Sequence, residues 1–173
     1  MIRRRDPLDR PEELIRSVYA YVAYRIGDGP DAEDATSDTF ERAIRYRDSY
    51  DRSRGEPIAW LIGIARRCVN DLLAARRPTV ADPPDVPDEG DLEDETVGRL
   101  AIGSEVARLA PTERELIALR YGADLTARQI GELLEMKTNA VEVALHRALG
   151  RLQSRVARVE LESEALPRRR ATR

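Results

Sequence analysis

The chain lacks the residues from which most catalytic and metal sites are built. Among its 173 residues are one cysteine, Cys68, and one histidine, His146. A single cysteine excludes an intrachain disulfide framework and a multi-thiolate zinc site. Neither a Ser/His/Asp arrangement nor a metal-ligand spacing surrounds His146, and no glycine-rich phosphate loop is present. The sequence therefore predicts a protein that is not an enzyme and holds no metal or other cofactor. Cys68, inside an apolar run, is predicted to be a buried packing residue.

Long hydrophobic runs are also missing. No stretch of about 18 apolar residues occurs, which argues against a transmembrane span. The first residues, MIRRRDPLDRPEE, have no apolar core behind their arginines and so do not resemble a secretory signal. The expected location is cytoplasmic, without membrane insertion.

Charge is distributed unevenly along the chain. The formal charge of -3 and the pI near 5.4 argue against a simple basic DNA-binding protein. Residues 1–77 hold 15 basic and 14 acidic side chains, and residues 99–173 hold 14 and 10. Residues 78–98 between them hold eight acidic side chains and no basic one. With four prolines in residues 78–95, this connector is predicted to be a flexible linker, or simply a solvated spacer.

Apolar periodicity on both sides of the linker predicts helices. In the first part, one stripe of a helix is formed by Leu14, Ile15, Val18, Tyr21, Val22, Arg25 and Ile26. A second helix is predicted over about 31–46 and a loop over 47–56, and Pro57 is predicted to open a third helix. In the second part, helices are predicted near 97–109, 112–121, 126–134 and 138–158. Capping-box spacing occurs at Thr112/Glu115 and Thr126/Gln129.

The last two predicted helices are separated by only three residues, which is helix-turn-helix spacing. The predicted fold class is therefore all-α, with two small helical domains joined by an acidic, proline-rich linker. The predicted boundaries are a first domain at 1–77, a linker at 78–96, a second domain at 97–160 and a disordered basic tail at 161–173.

A basic, tyrosine-containing loop gives the strongest functional signal. Residues 45–54, RYRDSYDRSR, interleave four arginines with two tyrosines, and residues 45–77 hold eight basic and four acidic side chains. Arginines can follow phosphates while tyrosine rings stack on unpaired bases. A solvated basic face would have the same composition. The adjacent positions on loop and helix favour single-strand binding.

Three segments resemble a known family. Residues 31–43 (DAEDATSDTFERA) and 57–67 (PIAWLIGIARR), with Asp71, look like region 2 of extracytoplasmic-function (ECF) sigma factors of the sigma-70 superfamily. Residues 109–121 (LAPTERELIALRY), followed by the helix-turn-helix, look like region 4. The likeness covers about residues 10–158. The absence of a region-3 domain between the two parts is typical of this small group.

The resemblance implies a subunit that binds core RNA polymerase, recognises minus-35 and minus-10 promoter elements and assists DNA melting. Polymerase contacts would be the clamp coiled coil of the largest subunit and the flap of the second-largest. The other partners would be duplex promoter DNA and the melted non-template strand, and the protein would associate with the nucleoid. An anti-sigma factor is a further partner that the resemblance leaves open. The alternative is a free-standing transcriptional regulator, with a dimerising first domain, that binds duplex DNA alone.

Candidate site residues follow from the resemblance in three groups. The polymerase-binding group is Asp34, Ser37, Asp38, Phe40 and Glu41. The minus-10 group is Tyr46, Asp48, Ser49, Tyr50, Arg52, Arg66, Arg67, Asn70, Arg76 and Arg77. The minus-35 group is Arg128, Lys137, Thr138, Asn139, Glu142, Val143, His146, Arg147 and Arg151.

The chain departs from the family pattern at several positions. Ser37 stands where the family usually has glutamine, and Glu135 stands at a turn position usually given to glycine, where left-handed geometry costs about 1 kcal/mol. The recognition helix, TNAVEVALHRALGRL, carries Glu142, Val143 and Ala144 where polar or basic groups are usual. Val143 is predicted to contact a thymine methyl group, Glu142 a cytosine amino group, and Arg147 a phosphate or guanine.

Overall fold

The computed structural model describes residues 6–76 and 103–165, with the side chains of the last helix described as far as residue 158. Both ranges are helical and contain no strand, as the predicted all-α class requires. The predicted linker and Arg77 lie outside the described residues, as does the predicted tail beyond residue 165. We call residues 6–76 the N-terminal lobe and residues 103–165 the C-terminal lobe.

Three helices form the N-terminal lobe, and each begins with a proline in its first turn, where the missing N–H leaves no hydrogen bond unmade. Two short 3₁₀ turns occupy the loop before the third helix, where the sequence predicted only a loop. The helices are α1, Pro11–Ile26, α2, Pro30–Arg45, and α3, Pro57–Ala75, and the 3₁₀ turns are Arg47–Ser49 and Arg52–Arg54.

The C-terminal lobe contains four helices. Helix α4 is described over 103–107. Helix α5 covers Pro111–Ile117 and continues through a π-helical turn, Ala118–Gly122. Helices α6, Ala127–Leu134, and α7, Thr138–Ala165, form the helix-turn-helix. Helix α7 runs seven residues past the predicted end near 158.

One of the two predicted capping boxes is confirmed and the other is wrong. Thr126 Oγ1 accepts from the Gln129 N–H at 3.2 Å, and Gln129 Oε1 accepts from the Thr126 N–H at 2.8 Å. The box at Thr112 and Glu115 does not form, because α5 begins one residue earlier, at Pro111. Its N-terminus is held instead by Glu113, whose Oε2 accepts from the Ala110 N–H at 3.4 Å.

The turn between α6 and α7 has the predicted left-handed residue. Glu135 has φ 56° and ψ 39°, which lets the Met136 N–H donate to the Gly131 carbonyl at 2.8 Å. A Cβ atom at Gly131 would lie 2.7 Å from the Met136 oxygen, so this turn requires glycine at position 131.

Apolar side chains predicted from periodicity form the core. Val18, Tyr21 and Val22 of α1 are fully buried, and Cys68 of α3 is 5% exposed, which confirms its packing role. Ile15 is 46% exposed, so its assignment to the apolar stripe of α1 was wrong. The buried face of α1 is formed by other residues of the stripe, among them Leu14 and Val18.

The two lobes pack against each other through a shared hydrophobic cluster, and a second cluster of buried residues lies in the C-terminal lobe. Buried residues of α1 and α3 are continuous with Leu119 and Leu125 of the C-terminal lobe. The approach is closest at Gly122, where a Cβ atom would lie 2.8 Å from the Tyr21 Cα atom. Helices α3 and α6 also meet, and a Cβ atom at Gly63 would lie 3.7 Å from the Leu133 side chain. The sequence predicted the two helical units but not this packing.

Candidate nucleic-acid interface

Local bonds hold the loop before α3 in a defined shape. Asp51 Oδ1 accepts from the backbone N–H of Ser53 at 2.9 Å and from its hydroxyl at 2.8 Å. Ser49 Oγ donates to the Tyr46 carbonyl at 2.7 Å. These short-range bonds stabilise the two 3₁₀ turns, so the loop presents a preformed surface.

The two tyrosines of this loop have different environments. The Tyr50 hydroxyl donates to the Gly55 carbonyl at 2.9 Å, and its ring packs against Trp60. Tyr46 is 54% exposed. The sequence predicted that both rings stack on bases. Tyr46 has the more exposed ring, whereas Tyr50 is held by contacts within the loop and with α3. Asp48, Ser49 and Arg52 are exposed beside them.

Some polar side chains of α3 are free to face solvent, and others bind groups of the protein itself. Arg67 is exposed on the helix surface. Asn70 accepts a hydrogen bond from Arg25 at 3.1 Å, and Arg76 forms an ion pair with Asp31 of α2. Arg66 turns towards the C-terminal lobe.

The target of Arg66 is Glu115, a buried carboxylate on α5. Its Oε1 accepts from the Tyr21 hydroxyl at 3.0 Å and lies 3.2 Å from Arg66 Nε, while its Oε2 lies 2.5 Å from Arg25 Nε. Glu115 is 8% exposed and Arg25 is 7% exposed. Burial and the adjacent Glu115 charge raise the pKa of Tyr21, which keeps its hydroxyl protonated and able to donate.

This carboxylate cluster was missed by sequence reasoning. Glu115 was interpreted as part of a helix cap and Arg25 as part of an apolar stripe. Its members are separated by up to 94 positions in the chain, and no local spacing connects them. A charged residue at a core position of a helical stripe, as Arg25 is, was the one available signal, because such residues are rarely buried without a partner.

The helix-turn-helix presents its predicted edge to solvent. Val141 is fully buried and Leu152 is 9% exposed, so the apolar frame of α7 faces the core. Arg128 pairs with Glu132 at 2.9 Å, and Arg151 forms an ion pair with Glu113. The exposed residues of the predicted minus-35 group are Arg128, Lys137, Thr138, Asn139, Glu142, Val143, His146, Arg147 and Arg151.

The predicted polymerase-binding residues share an exposed side of α2, apart from one. Asp34, Ser37, Asp38 and Glu41 are exposed. Phe40 is half-buried and packs against the core. Phe40 is the one apolar residue of this predicted set.

The described residues contain neither a cluster of metal ligands nor a helix that could span a membrane. Within 6–76 and 103–158 no cluster of three or more histidine, cysteine or acidic side chains could hold a metal ion. No described helix combines the length and apolar character that crossing a membrane requires.

Two family models match the chain. Residues 12–79 match the model for sigma-70 region 2, and residues 99–152 match a model for sigma-70 region 4. The first match contains α1, α2, the loop and α3, and the second contains α4 to α6 and the first half of α7. Both parts of the candidate interface therefore fall within matched segments.

Similar proteins carry the same family name. The chain is 31% identical over 141 residues to the ECF RNA polymerase sigma factor BldN of Streptomyces coelicolor, covering 77% of this chain and 53% of BldN. It therefore spans about half the length of that relative. It is 30% identical over 173 residues to the ECF RNA polymerase sigma factor SigD of Mycobacterium tuberculosis, covering 88% of this chain and 78% of SigD.

A solved structure shares the fold. The sigma factor RpoE of Bartonella quintana, in complex with the anti-sigma factor NepR, matches with a TM-score of 0.64 and 20% identity. The match covers 88% of this chain and 98% of that one.

Proposed function

We propose that this chain, which belongs to the ECF family of RNA polymerase sigma factors, binds core RNA polymerase and directs it to promoters. One observation carries the proposal: the same chain presents a preformed basic loop with an open tyrosine ring and an exposed helix-turn-helix edge. A protein that binds only duplex DNA would not need a loop whose tyrosine ring can stack on unpaired bases. The chain is proposed to be a non-catalytic subunit, with nucleotidyl transfer performed by the polymerase.

The loop and α3 are proposed to hold the melted non-template strand of the minus-10 element. Extracting a base from the stack costs a few kcal/mol, which stacking and hydrogen bonds in a shaped pocket offset. Tyr46 supplies the ring face, Asp48 and Ser49 supply polar groups at the loop tip, and the neighbouring arginines contact phosphates. Because internal bonds already order the loop, binding loses little further conformational entropy there.

The edge of α7 is proposed to lie in the major groove at the minus-35 element. Lys137, Thr138 and Asn139 stand at the N-terminus of α7, where backbone N–H groups and the helix dipole favour a phosphate. Val143, which is 43% exposed, is placed to contact a thymine methyl group, and Arg147 to contact guanine or phosphate. Binding through this weakly basic edge is supplemented by contacts of the polymerase.

The exposed carboxylates of α2, with Ser37 and the half-buried Phe40, are proposed to dock on the clamp coiled coil of the largest polymerase subunit. The C-terminal lobe is proposed to contact the flap of the second-largest subunit. An anti-sigma factor is a further proposed partner, and the proposed location is the cytoplasm, at the nucleoid.

Co-purification with core RNA polymerase tests the proposal. We expect the chain to co-elute with core polymerase in gel filtration and to yield promoter-directed run-off transcripts. The triple variant Asp34→Ala, Asp38→Ala, Glu41→Ala should co-elute less while remaining folded. Absence of both co-elution and transcript, combined with duplex binding by the chain alone, would establish the free-standing regulator instead.

A further inference from the structure

We propose that the three consecutive arginines at 3–5, the N-terminal arginine run, bind phosphates of the melted strand beside the loop that precedes α3. The inference rests on the proposed minus-10 role of that loop and adds a further DNA contact to it. The run lies outside the described residues, but the residue that follows it, Asp6, is described and contacts the loop directly.

Asp6 joins the start of the described chain to the loop. Its Oδ2 lies 3.2 Å from Nη1 of Arg47, and Arg47 directly follows Tyr46, whose exposed ring is proposed to stack on a base. Its Oδ1 accepts from the Leu8 N–H at 3.0 Å, and its carbonyl accepts from the Asp9 N–H at 3.2 Å. One carboxylate oxygen therefore stabilises the N-terminal turn, and the other binds the loop.

Apolar contacts hold this N-terminal turn in place. Pro7 is buried, and Leu8 is half-buried and packs against the shared hydrophobic cluster. The ion pair between Asp6 and Arg47 is exposed, and an exposed ion pair contributes little by itself. The position of Asp6 is therefore fixed mainly by the packing of the two residues after it.

Chain connectivity limits how far the run can lie from the loop. Consecutive Cα atoms are about 3.8 Å apart, so the Cα atom of residue 5 lies about 4 Å from that of Asp6, and that of residue 3 lies within about 11 Å. Successive phosphates of one stacked strand are about 3.4 Å apart along the helix axis. The run is therefore long enough to contact two or three consecutive phosphates next to a base held at Tyr46.

The run also supplies most of the positive charge at this surface. Residues 45–54 carry four arginines and two aspartates, and Asp6 adds a third carboxylate, which gives a net charge of +1. Including the arginines at 3–5 raises the net charge to +4. Attraction to a nucleic-acid backbone depends on the number of phosphates that basic side chains neutralise. The loop without the run would therefore bind a strand weakly.

A charge variant tests the run in the full-length chain. The triple variant Arg3→Gln, Arg4→Gln, Arg5→Gln removes three positive charges. Its matched control, Arg168→Gln, Arg169→Gln, Arg170→Gln, removes three charges from a run of the same length near the other end of the chain. Fluorescence anisotropy gives the affinity for a labelled single strand of mixed sequence, and for the duplex of the same sequence, at several salt concentrations. Far-ultraviolet circular dichroism checks that each variant remains helical.

We expect the N-terminal variant to bind the single strand about ten-fold more weakly or worse at low salt. Its log–log salt slope should be shallower by about 2, the value for three lost phosphate contacts on a single strand. The C-terminal variant should keep the wild-type slope. Unchanged binding by the N-terminal variant, or an equal loss in both variants, would overturn the proposal. A loss confined to the duplex would overturn the assignment to the melted strand.

A tethered cleavage reagent tests the position of the run. Cys68, the one cysteine of the chain, is buried, so Ile2→Cys introduces the one accessible thiol, to which a DNA-cleaving iron chelate is attached. In holoenzyme bound to a promoter defined by footprinting, we expect cleavage of the non-template strand at the minus-10 element. The same chelate on Ala171→Cys, beside the C-terminal arginines, should leave that element uncut. Cleavage from position 2 only at other parts of the promoter would overturn the proposal.

The two experiments separate this inference from the proposed function. The anisotropy measurements use the chain without polymerase, whereas run-off transcription by the unlabelled wild-type chain with core polymerase tests promoter-directed initiation. Loss of strand binding in the N-terminal variant, together with absent transcripts, would reject the proposed function and keep the phosphate contact. Normal transcripts, together with unchanged strand binding in that variant, would reject the phosphate contact alone.

Discussion

The ring of Tyr50 packs against the indole of Trp60, with centroids 5.5 Å apart and planes inclined at 56°. The contact joins the loop to the first turn of α3. It leaves Tyr46, four residues earlier, as the tyrosine of this loop with the more open ring. The two tyrosines should therefore respond differently to mutation.

Tyr46→Ala should weaken binding of single-stranded minus-10 DNA by about 1–3 kcal/mol, the range for loss of one base–aromatic stack. Its effect on the free energy of unfolding should be small because the ring is exposed. Tyr50→Phe should instead lower the free energy of unfolding by about 0.5–1.5 kcal/mol through loss of the bond to Gly55, and leave DNA affinity nearly unchanged. Anisotropy titration and urea unfolding measure the two quantities, and equal losses of affinity in both variants would contradict the assignment.

Arg147→Ala should weaken binding to the minus-35 element by about 1–3 kcal/mol, and by more than Glu142→Ala does. Arginine can contact guanine or phosphate, whereas a carboxylate near the DNA backbone is partly repelled. The measurement is competition binding of the holoenzyme to a promoter defined by footprinting. Arg158→Ala, about three turns further along α7 and exposed, controls for the loss of one positive charge. The reverse ranking of Arg147 and Glu142 would refute the proposed orientation of α7.

Features governed by neighbouring residues could be predicted from the sequence. The proline start of α3, the Thr126 cap and the left-handed turn at Glu135 each depend on residues within a few positions. The helix-turn-helix followed from two apolar stripes and a three-residue spacing. Such signals depend only on nearby residues, so they do not require contact between the two lobes.

Features governed by distant partners could not be predicted. Whether Arg66 faces DNA or Glu115 depends on how two lobes meet, which neither helical periodicity nor charge counts encode. Tyr50 and Tyr46 are indistinguishable by composition, and the contacts of Tyr50 with Trp60 and Gly55 separate them. Asp124, with φ 54°, is a second left-handed residue, and no glycine at that position indicates it.

Glu135→Gly should raise the free energy of unfolding by about 0.5–1 kcal/mol. Glycine adopts the left-handed backbone at this turn without the steric cost that a Cβ atom brings. Thermal or urea unfolding of the full chain measures the change. Glu132→Gly, the same substitution inside α6, should instead lower stability by about 1 kcal/mol, because glycine is unfavourable in a helix interior. If both variants were destabilised, the cost of the left-handed residue would be smaller than proposed.

Alkaline pH should weaken the contact between the lobes through Tyr21. Glu115 of α5 faces this hydroxyl, and the same carboxylate lies beside Arg25 of α1 and Arg66 of α3. The pKa of Tyr21 is raised above the ordinary tyrosine value of 10.0, chiefly by burial and then by the Glu115 charge. Above about pH 10 the unfolded chain therefore releases this proton while the folded chain retains it, so stability present below that pH is lost as pH rises.

The loss should approach about 1.4 kcal/mol per pH unit from this one group. Urea unfolding of the wild type and of Tyr21→Phe, followed from about pH 9 to about pH 11, measures the contribution of the Tyr21 hydroxyl to this loss. The phenylalanine variant starts less stable, because Glu115 loses a donor, but its stability should decline less steeply above pH 10. Tyr121→Phe, at a ring that is 51% exposed, should keep the wild-type slope. Parallel curves for wild type and Tyr21→Phe would mean that the proton on Tyr21 does not stabilise the folded chain.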